Sequence, residues 1–196
     1  MMKILIGTPI HIAKDYAMER WLQNVARLKY PADLFLVDNS PRLDYVEKIK
    51  GYCAKYGVTN YQIQHLDINQ GLDPNIRVWT SQEAIRQEFL SGNYDAWFSW
   101  ECDQLIPTNA LDALVRLMET GNFMMVLHNS WARWGHAIVN ANMGVTLISK
   151  QCLKKNRFLP HQWQGDKAWF KEQVLRNGGN YIDVYGIIKP IYHLNQ

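Results

Sequence analysis

Two acids come directly after an apolar run in Ala96-Trp97-Phe98-Ser99-Trp100-Glu101-Cys102-Asp103. A run this apolar is typical of a strand that is buried on both faces, and we predict a strand over residues 96–100. The two acids then emerge at the end of that strand, where neighbouring carboxylates repel each other unless a counter-charge is present. Mg²⁺ and Mn²⁺ prefer oxygen ligands such as carboxylates, so the pair indicates a site for a divalent cation.

Apolar runs and helical patterns alternate along the first two thirds of the chain. Further strands are predicted over residues 4–6, 34–37, 61–66 and 123–127, with an amphipathic helix between each pair. This alternation predicts an α/β fold with a mainly parallel sheet and helices on both of its faces. After residue 128 we expect a strand over 145–149, a helix over 166–176, and extended segments over 181–184 and 187–192. No linker interrupts the 196 residues, which favours a single domain over 1–196.

Polar clusters follow three of the predicted strands. They are Thr8-Pro9, Asp38-Asn39-Ser40, and the pair Glu101 and Asp103. In an open α/β sheet the carboxyl ends of the strands form the crevice where ligands bind. Asp, Asn and Ser are also common turn residues, so any one cluster could simply end its strand. Three clusters at one edge favour a ligand site.

Composition excludes several classes of protein. Apolar residues make up 47% of the chain and charged residues 20%, which argues against disorder. The net charge of +3 is not concentrated in a basic stripe, which argues against a dedicated nucleic-acid binder. Three widely spaced cysteines without a CxxC pair indicate neither a disulfide framework nor a zinc site, and favour a reducing, cytoplasmic setting. No apolar run approaches the roughly 20 residues of a transmembrane helix. The eight Trp and ten Tyr residues either fill the core or line a groove.

The acidic motif resembles a known signature. Glu101-x-Asp103 after an apolar strand, followed by Leu105-Ile106-Pro107, looks like the DxD motif of GT-A glycosyltransferases, most closely those of family 2. Glu101 stands where the family usually has Asp, and Gly165 replaces the Glu that often precedes the family's catalytic base. The resemblance implies a GT-A fold with a Rossmann-like sheet, in which residues 1–107 bind the nucleotide sugar and residues 108–196 face the acceptor.

The same resemblance assigns roles to individual residues, in the family's order along the chain. Thr8, Pro9, Asp38, Asn39 and Arg77 would contact the nucleotide sugar, together with Glu101 and Asp103. Glu101, Asp103 and His193 would hold Mn²⁺ or Mg²⁺. Asp166 would be the catalytic base, the strand within residues 142–149 would lie on the acceptor side, and an acceptor wall would consist of Trp131, Arg133, Trp134 and His136.

The resemblance also implies a reaction. A sugar would pass from a nucleoside-diphosphate sugar, with a UDP-sugar expected, to an acceptor hydroxyl, and family 2 enzymes invert the anomeric centre. The acceptor could be a glycan, a lipid-linked sugar or a modified DNA base. A nucleotidyltransferase is the alternative enzyme, although the Gly-rich basic loop typical of that class is missing from residues 6–9. A non-catalytic nucleotide or carbohydrate binder with the same fold is the alternative outside the enzymes.

Each assigned residue also has a structural alternative. Asp166 could be a helix N-cap, because Lys167-Ala168-Trp169-Phe170 continues as a helix. His193 could be a partly buried histidine of a strand, Asp38 a turn residue, and Arg77 a surface charge.

Overall fold

The computed structural model describes residues 1–128, 143–159 and 166–194, apart from the side chains of residues 166 and 167. Within these residues the strands are β1 (Ile4–Ile10), β2 (Ala32–Asp38), β3 (Tyr61–His65), β4 (Ala96–Ser99), β5 (Gln104–Leu105), β6 (Met125–His128), β7 (Thr146–Ser149), β8 (Tyr181–Val184) and β9 (Tyr192–His193). The helices are a short 3-10 helix (Ile12–Lys14), α1 (Asp15–Val25), α2 (Asp44–Tyr56), α3 (Pro74–Ser91), α4 (Ala110–Gly121), α5 (Lys150–Lys155) and α6 (Asp166–Arg176).

Seven of the described strands form one mainly parallel sheet in the order β3-β2-β1-β4-β7-β6-β8. Strand β1 pairs in parallel with β2 on one side and with β4 on the other, so the chain builds outward to β3 and then crosses back to β4. The predicted parallel sheet is therefore confirmed. Strand β7 lies antiparallel between β4 and β6, an insertion that no pattern in the sequence indicated.

Helices cover both faces of the sheet, as predicted. One buried cluster lies on the face covered by α1, α2 and α4, and a second on the face covered by α3, α5 and α6. The helical residues of the first cluster are Met18, Trp21, Leu22, Tyr45, Ile49, Cys53, Ala110, Leu111, Leu114, Val115 and Met118. Those of the second cluster are Ile85, Phe89, Cys152, Leu153, Phe170 and Val174. Along residues 1–128, 143–159 and 166–194, no helix is both long and apolar enough to cross a membrane.

Three tryptophans are buried in the core, and one of them, Trp100, also lines a cavity at the carboxyl ends of the sheet. Trp21, Trp97 and Trp100 are buried, and the indole N–H groups of the last two donate to the backbone carbonyls of Gly7 and Gln104. A buried tryptophan usually finds such a partner, because its N–H loses water when the ring is buried, although no acceptor in the described part of the chain reaches the indole N–H of Trp21. At Trp21 and Trp97 the core interpretation of the aromatic residues is confirmed, whereas Trp100 belongs both to the core and to the cavity wall.

Strand β1 is longer than predicted. We expected it to end before Gly7, but it continues through Thr8 and Pro9 to Ile10. Strand β4 pairs with β1 only as far as Gly7, so Pro9 lies where that side of β1 has no partner and a missing N–H is tolerated. The longer strand carries the chain directly to the crevice at the carboxyl ends of the sheet.

A two-stranded ribbon forms beside this edge. Its strands β5 and β9 are antiparallel, with Gln104 opposite His193 and Leu105 opposite Tyr192. The predicted extended segment over 187–192 is wrong in its bounds, because the paired residues are Tyr192 and His193. The ribbon brings the end of the described chain to the acid pair.

Candidate active site

A cavity of about 360 Å³ opens where β1 and β4 separate at the carboxyl ends of the sheet. Because the chain passes to β2 on one side of β1 and to β4 on the other, this is the topological switch point at which α/β sheets bind ligands. Pro9, Asn39, Arg77 and Glu101 all lie on its wall. The cavity thus brings together one residue from each of the three polar clusters and Arg77 from α3.

Glu101, Asp103 and His193 converge beside the cavity. Each of the three offers a ligand atom, and these atoms all lie within 4.8 Å of one another. Glu101 and Asp103 lie between β4 and β5, and His193 reaches them because β9 pairs with β5. Two carboxylates and an imidazole form a donor set that suits Mn²⁺ and other divalent first-row metals.

Gln104 connects two members of this group, and we did not single it out from the sequence. Its Nε2 donates to Glu101 Oε2 at 3.0 Å and lies 2.7 Å from His193 Nε2. Gly144 makes room for it, because a Cβ at that position would lie 2.6 Å from the same Nε2. Its place directly after Asp103 is the only signal in the sequence that could have suggested it.

Gln104 also supports the fit of a cation. The side chain is completely buried, and no donor among residues 1–128, 143–159 and 166–194 reaches its Oε1. A buried amide oxygen without a hydrogen bond is costly, by about 1–3 kcal/mol, and such atoms indicate an ion or water that completes the site. The residues present therefore fit a divalent cation, with Glu101, Asp103 and His193 as its ligands.

Asp103 is held by two residues from the start of the first helical segment. Lys14 Nζ lies 3.2 Å from Asp103 Oδ2, and the Tyr16 hydroxyl donates to the same oxygen at 3.4 Å. Burial acts to lower the pKa of Lys14, but the negative charges of Glu101 and Asp103 outweigh burial and raise that pKa above its ordinary value. Part of the repulsion between the two acids is therefore relieved by a lysine, which we had not predicted.

Two residues of the cavity wall, Asn39 and Arg77, belong to one network of polar side chains. Arg77 donates through Nη1 to Gln70 Oε1 at 2.5 Å, and Gln70 donates through Nε2 to the backbone carbonyl of Asn39. The Asn39 amide in turn donates to the hydroxyl of Ser81 on α3. The network fixes the position of the Arg77 guanidinium, which is an ordinary partner for phosphate or a nucleobase.

Comparison with known structures gives the name of this architecture. A fragment of TarS from S. aureus, residues 1–349, has been solved in complex with UDP-GlcNAc. It superposes on 94% of the chain with a TM-score of 0.69 and a sequence identity of 14%. A mannosyltransferase from Pyrobaculum calidifontis, solved with GDP-Man and Mn²⁺, superposes on 95% with a TM-score of 0.70 and 10% identity. The chain has a GT-A-type fold. A third structure, from Desulfovibrio desulfuricans G20, carries the provisional name nucleotide-diphospho-sugar transferase and has a TM-score of 0.60 at 14% identity, over 94% of this chain and 80% of that one.

The match to the GT-A fold is structural only. No protein-family model and no curated protein matches the sequence. The chain spans 58% of the TarS fragment, 35% of a longer TarS chain and 55% of the mannosyltransferase. The predicted fold class is confirmed, whereas activity has to be argued from the site.

Thr8 and Asp38 lie behind the wall of the GT-A cavity. Both side chains are completely buried. The Thr8 hydroxyl donates to the carbonyl of Trp100, and the Asp38 carboxylate accepts from Ser40 and pairs with His65 Nδ1 at 2.7 Å. These contacts give each side chain a supporting role, and the nucleotide contact expected of each stays a prediction.

The residues expected to face an acceptor are only partly described. The helix predicted over residues 166–176 is α6, and Asp166 is its first residue. The side chain of Asp166 lies outside the described part of the structure. Gly165 and the expected acceptor wall lie outside the described residues, as does Asn142 at the start of the expected acceptor-side segment. The residues of that wall are Trp131, Arg133, Trp134 and His136.

Proposed function

We propose that this chain is a metal-dependent glycosyltransferase, which moves a sugar from a nucleoside-diphosphate sugar to an acceptor hydroxyl. The observation that carries the proposal is the convergence of Glu101, Asp103 and His193 within 4.8 Å at the rim of the switch-point cavity. Two proteins with this fold were solved with nucleotide sugars: TarS, 14% identical to this chain, with UDP-GlcNAc, and the mannosyltransferase, 10% identical, with GDP-Man and Mn²⁺. Their ligands support a nucleotide-sugar donor of the same class here.

The donor would lie along the cavity. Its nucleoside would rest against Pro9 and Asn39, with Arg77 beside it, and its diphosphate would reach Glu101. A divalent cation bound by Glu101, Asp103 and His193 would supply a Lewis acid that stabilises negative charge on the leaving diphosphate. The contacts of Gln104 with Glu101 and His193 support this assignment, because they would hold two of the ligands in position before the donor binds.

Asp166 is the proposed general base. It begins α6, and its carboxylate would accept the proton of the acceptor hydroxyl as the oxygen attacks the anomeric carbon, a contribution of about 10²–10⁴-fold to the rate. Attack on the face opposite the leaving diphosphate would invert the anomeric centre, as the family 2 resemblance implies. A glycan or a lipid-linked sugar is the proposed acceptor, since no basic stripe supports binding to DNA.

The proposal is tested by donor turnover. UDP- and GDP-sugars are incubated with the protein in Mn²⁺, Mg²⁺ or EDTA, and release of nucleoside diphosphate is measured with and without glycan acceptors. We expect release with at least one donor, its loss in EDTA, and its loss in Asp103→Asn. The matched control is Asp112→Asn on α4, whose carboxylate pairs with Arg116 away from the cavity.

Three results would count against the proposal. Release at the wild-type rate by Asp103→Asn contradicts the assigned metal site, and full activity in EDTA contradicts metal dependence. If nucleoside diphosphates raise the melting temperature but no donor is turned over with any acceptor, the chain is a non-catalytic binder.

A further inference from the structure

Lys14 lies where the acid pair meets the cavity. Its side chain lines the cavity, and its Nζ is 3.2 Å from Asp103 Oδ2. Asp103 is 1% exposed, whereas the Lys14 side chain is 39% exposed. A buried acid is therefore neutralised by a cation that itself reaches solvent. Lysine carries its charge on a flexible four-carbon stem, so the ammonium group can exchange partners while the backbone stays in place.

The Lys14 ammonium and a divalent cation compete for Asp103. A carboxylate oxygen holds Mg²⁺ at about 2.0–2.1 Å, and the ammonium lies 3.2 Å from one of the same oxygens. The two positive centres would therefore be about 5 Å apart or closer. Even in the dielectric of water, charges of +2 and +1 at that separation repel by enough to weaken cation binding about tenfold.

We propose that Lys14 is an exchangeable counter-ion: it neutralises Asp103 before the cation binds, and it then turns to the oxygens of the donor diphosphate. The proposal rests on the proposed function, because it places that diphosphate in the cavity beside Glu101. Since Lys14 lies on the cavity wall, the released ammonium stays in the cavity, where a diphosphate is a partner of opposite charge. Cation and nucleoside diphosphate then promote each other's binding, and by linkage the effect is reciprocal.

The test measures binding rather than turnover. Mn²⁺ alone, UDP alone, and UDP at saturating Mn²⁺ are titrated by calorimetry into the wild type and into Lys14→Met, with GDP in parallel. Methionine keeps an unbranched stem and removes the charge, and Lys14→Arg retains the charge. The matched control is Lys55→Met, because Lys55 also forms an ion pair, with Glu19, but does not line the cavity.

We expect Lys14→Met to bind Mn²⁺ about tenfold more tightly than the wild type. At saturating Mn²⁺ the same variant is expected to bind UDP or GDP about tenfold more weakly, since a charged contact to phosphate is lost. Lys14→Arg and Lys55→Met are expected to change either affinity by less than about threefold. Circular dichroism verifies that each variant is folded. Should Lys14→Met fail to fold, Lys14→Gln, which keeps a polar contact to Asp103, carries the same expectations.

The outcomes separate this inference from the proposed function. Equal Mn²⁺ affinity in the wild type and in Lys14→Met overturns the counter-ion role, and equal nucleotide affinity at saturating Mn²⁺ overturns the transfer to diphosphate. In both cases the wild type still binds its ligands, and the proposed function is unaffected. A wild type that binds neither Mn²⁺ nor UDP nor GDP refutes the proposed function, and the role of Lys14 with it.

Discussion

Replacing Gln104 by leucine separates the metal site from the stability of the fold. Leucine fills a similar volume but cannot donate to Glu101 or contact His193 as the amide does. We expect Gln104→Leu to weaken Mn²⁺ binding by about 10–100-fold, because residues that orient metal ligands have effects of that size. The free energy of unfolding is expected to change little.

Two opposed contributions explain the small change in stability. A lost hydrogen bond to the charged Glu101 carboxylate, 3.0 Å long in the wild type, costs about 1.5–3 kcal/mol. The substitution also removes the buried Oε1, which no donor in the described part of the chain reaches, and this relieves about 1–3 kcal/mol. The net change is expected to stay below about 2 kcal/mol, which is at most about 4–8 °C in Tm for a chain of this size.

Two measurements on the same variant decide the outcome. Calorimetric titration with Mn²⁺ gives the affinity, and thermal unfolding in EDTA gives the Tm. Gln64→Leu on the exposed side of β3 is the control and should leave Mn²⁺ binding unchanged. Wild-type Mn²⁺ affinity in Gln104→Leu would show that the amide does not position the ligands. A loss of Tm well beyond about 8 °C would show that its main role is in the core.

Three further outcomes are expected. Gly7→Ala places a Cβ 2.3 Å from Ile85 Cγ2 and should destabilise the fold by about 2–3 kcal/mol in urea unfolding. The control is Gly51→Ala, whose Cβ meets nothing within 4 Å and should not destabilise the fold. Equal stability of the two variants would contradict the packing around β1. Asp166→Asn should keep donor binding in a thermal-shift assay and lose most of the transfer; unchanged transfer would make Asp166 a helix cap. Burial raises the pKa of the thiols of Cys53, Cys102 and Cys152 to about 11 or 12, so few thiolates exist at pH 8. A disulfide reagent should therefore label each of these cysteines slowly in the folded protein. Rapid labelling would show that at least one thiol is accessible.

Local patterns were sufficient for the existence of most strands and helices. Strand β4 was predicted because a strand buried on both faces has to be apolar throughout. The end of α2 was predicted because glycine is common just after a helix, and in the structure Gly57 takes the left-handed conformation, with φ of 68°. Element bounds were less predictable. Strand β1 passes through Gly7 and Pro9, which usually end strands, since its pairing with β2 continues to Ile10.

The candidate site was predicted in part. Glu101 and Asp103 could be found because both follow one strand, and the position of His193 was suggested by resemblance. Sequence alone had no means of finding Lys14 and Gln104 as their neighbours. A lysine after β1 and a glutamine before Leu105 look like ordinary surface residues until the chain folds.

The sequence alone was sufficient for the alternation of strands and helices and for the chemistry of the residues at the strand ends. Both depend only on a few neighbouring positions: the alternation follows from hydrophobic periodicity, and the chemistry follows from side-chain type. Partners across the fold were decided by tertiary packing. Gln104 meets His193 across 89 residues because β9 pairs with β5, and β7 separates β4 from β6. Such pairings depend on which strand edges and helix faces are left to be buried, and that depends on the whole chain at once.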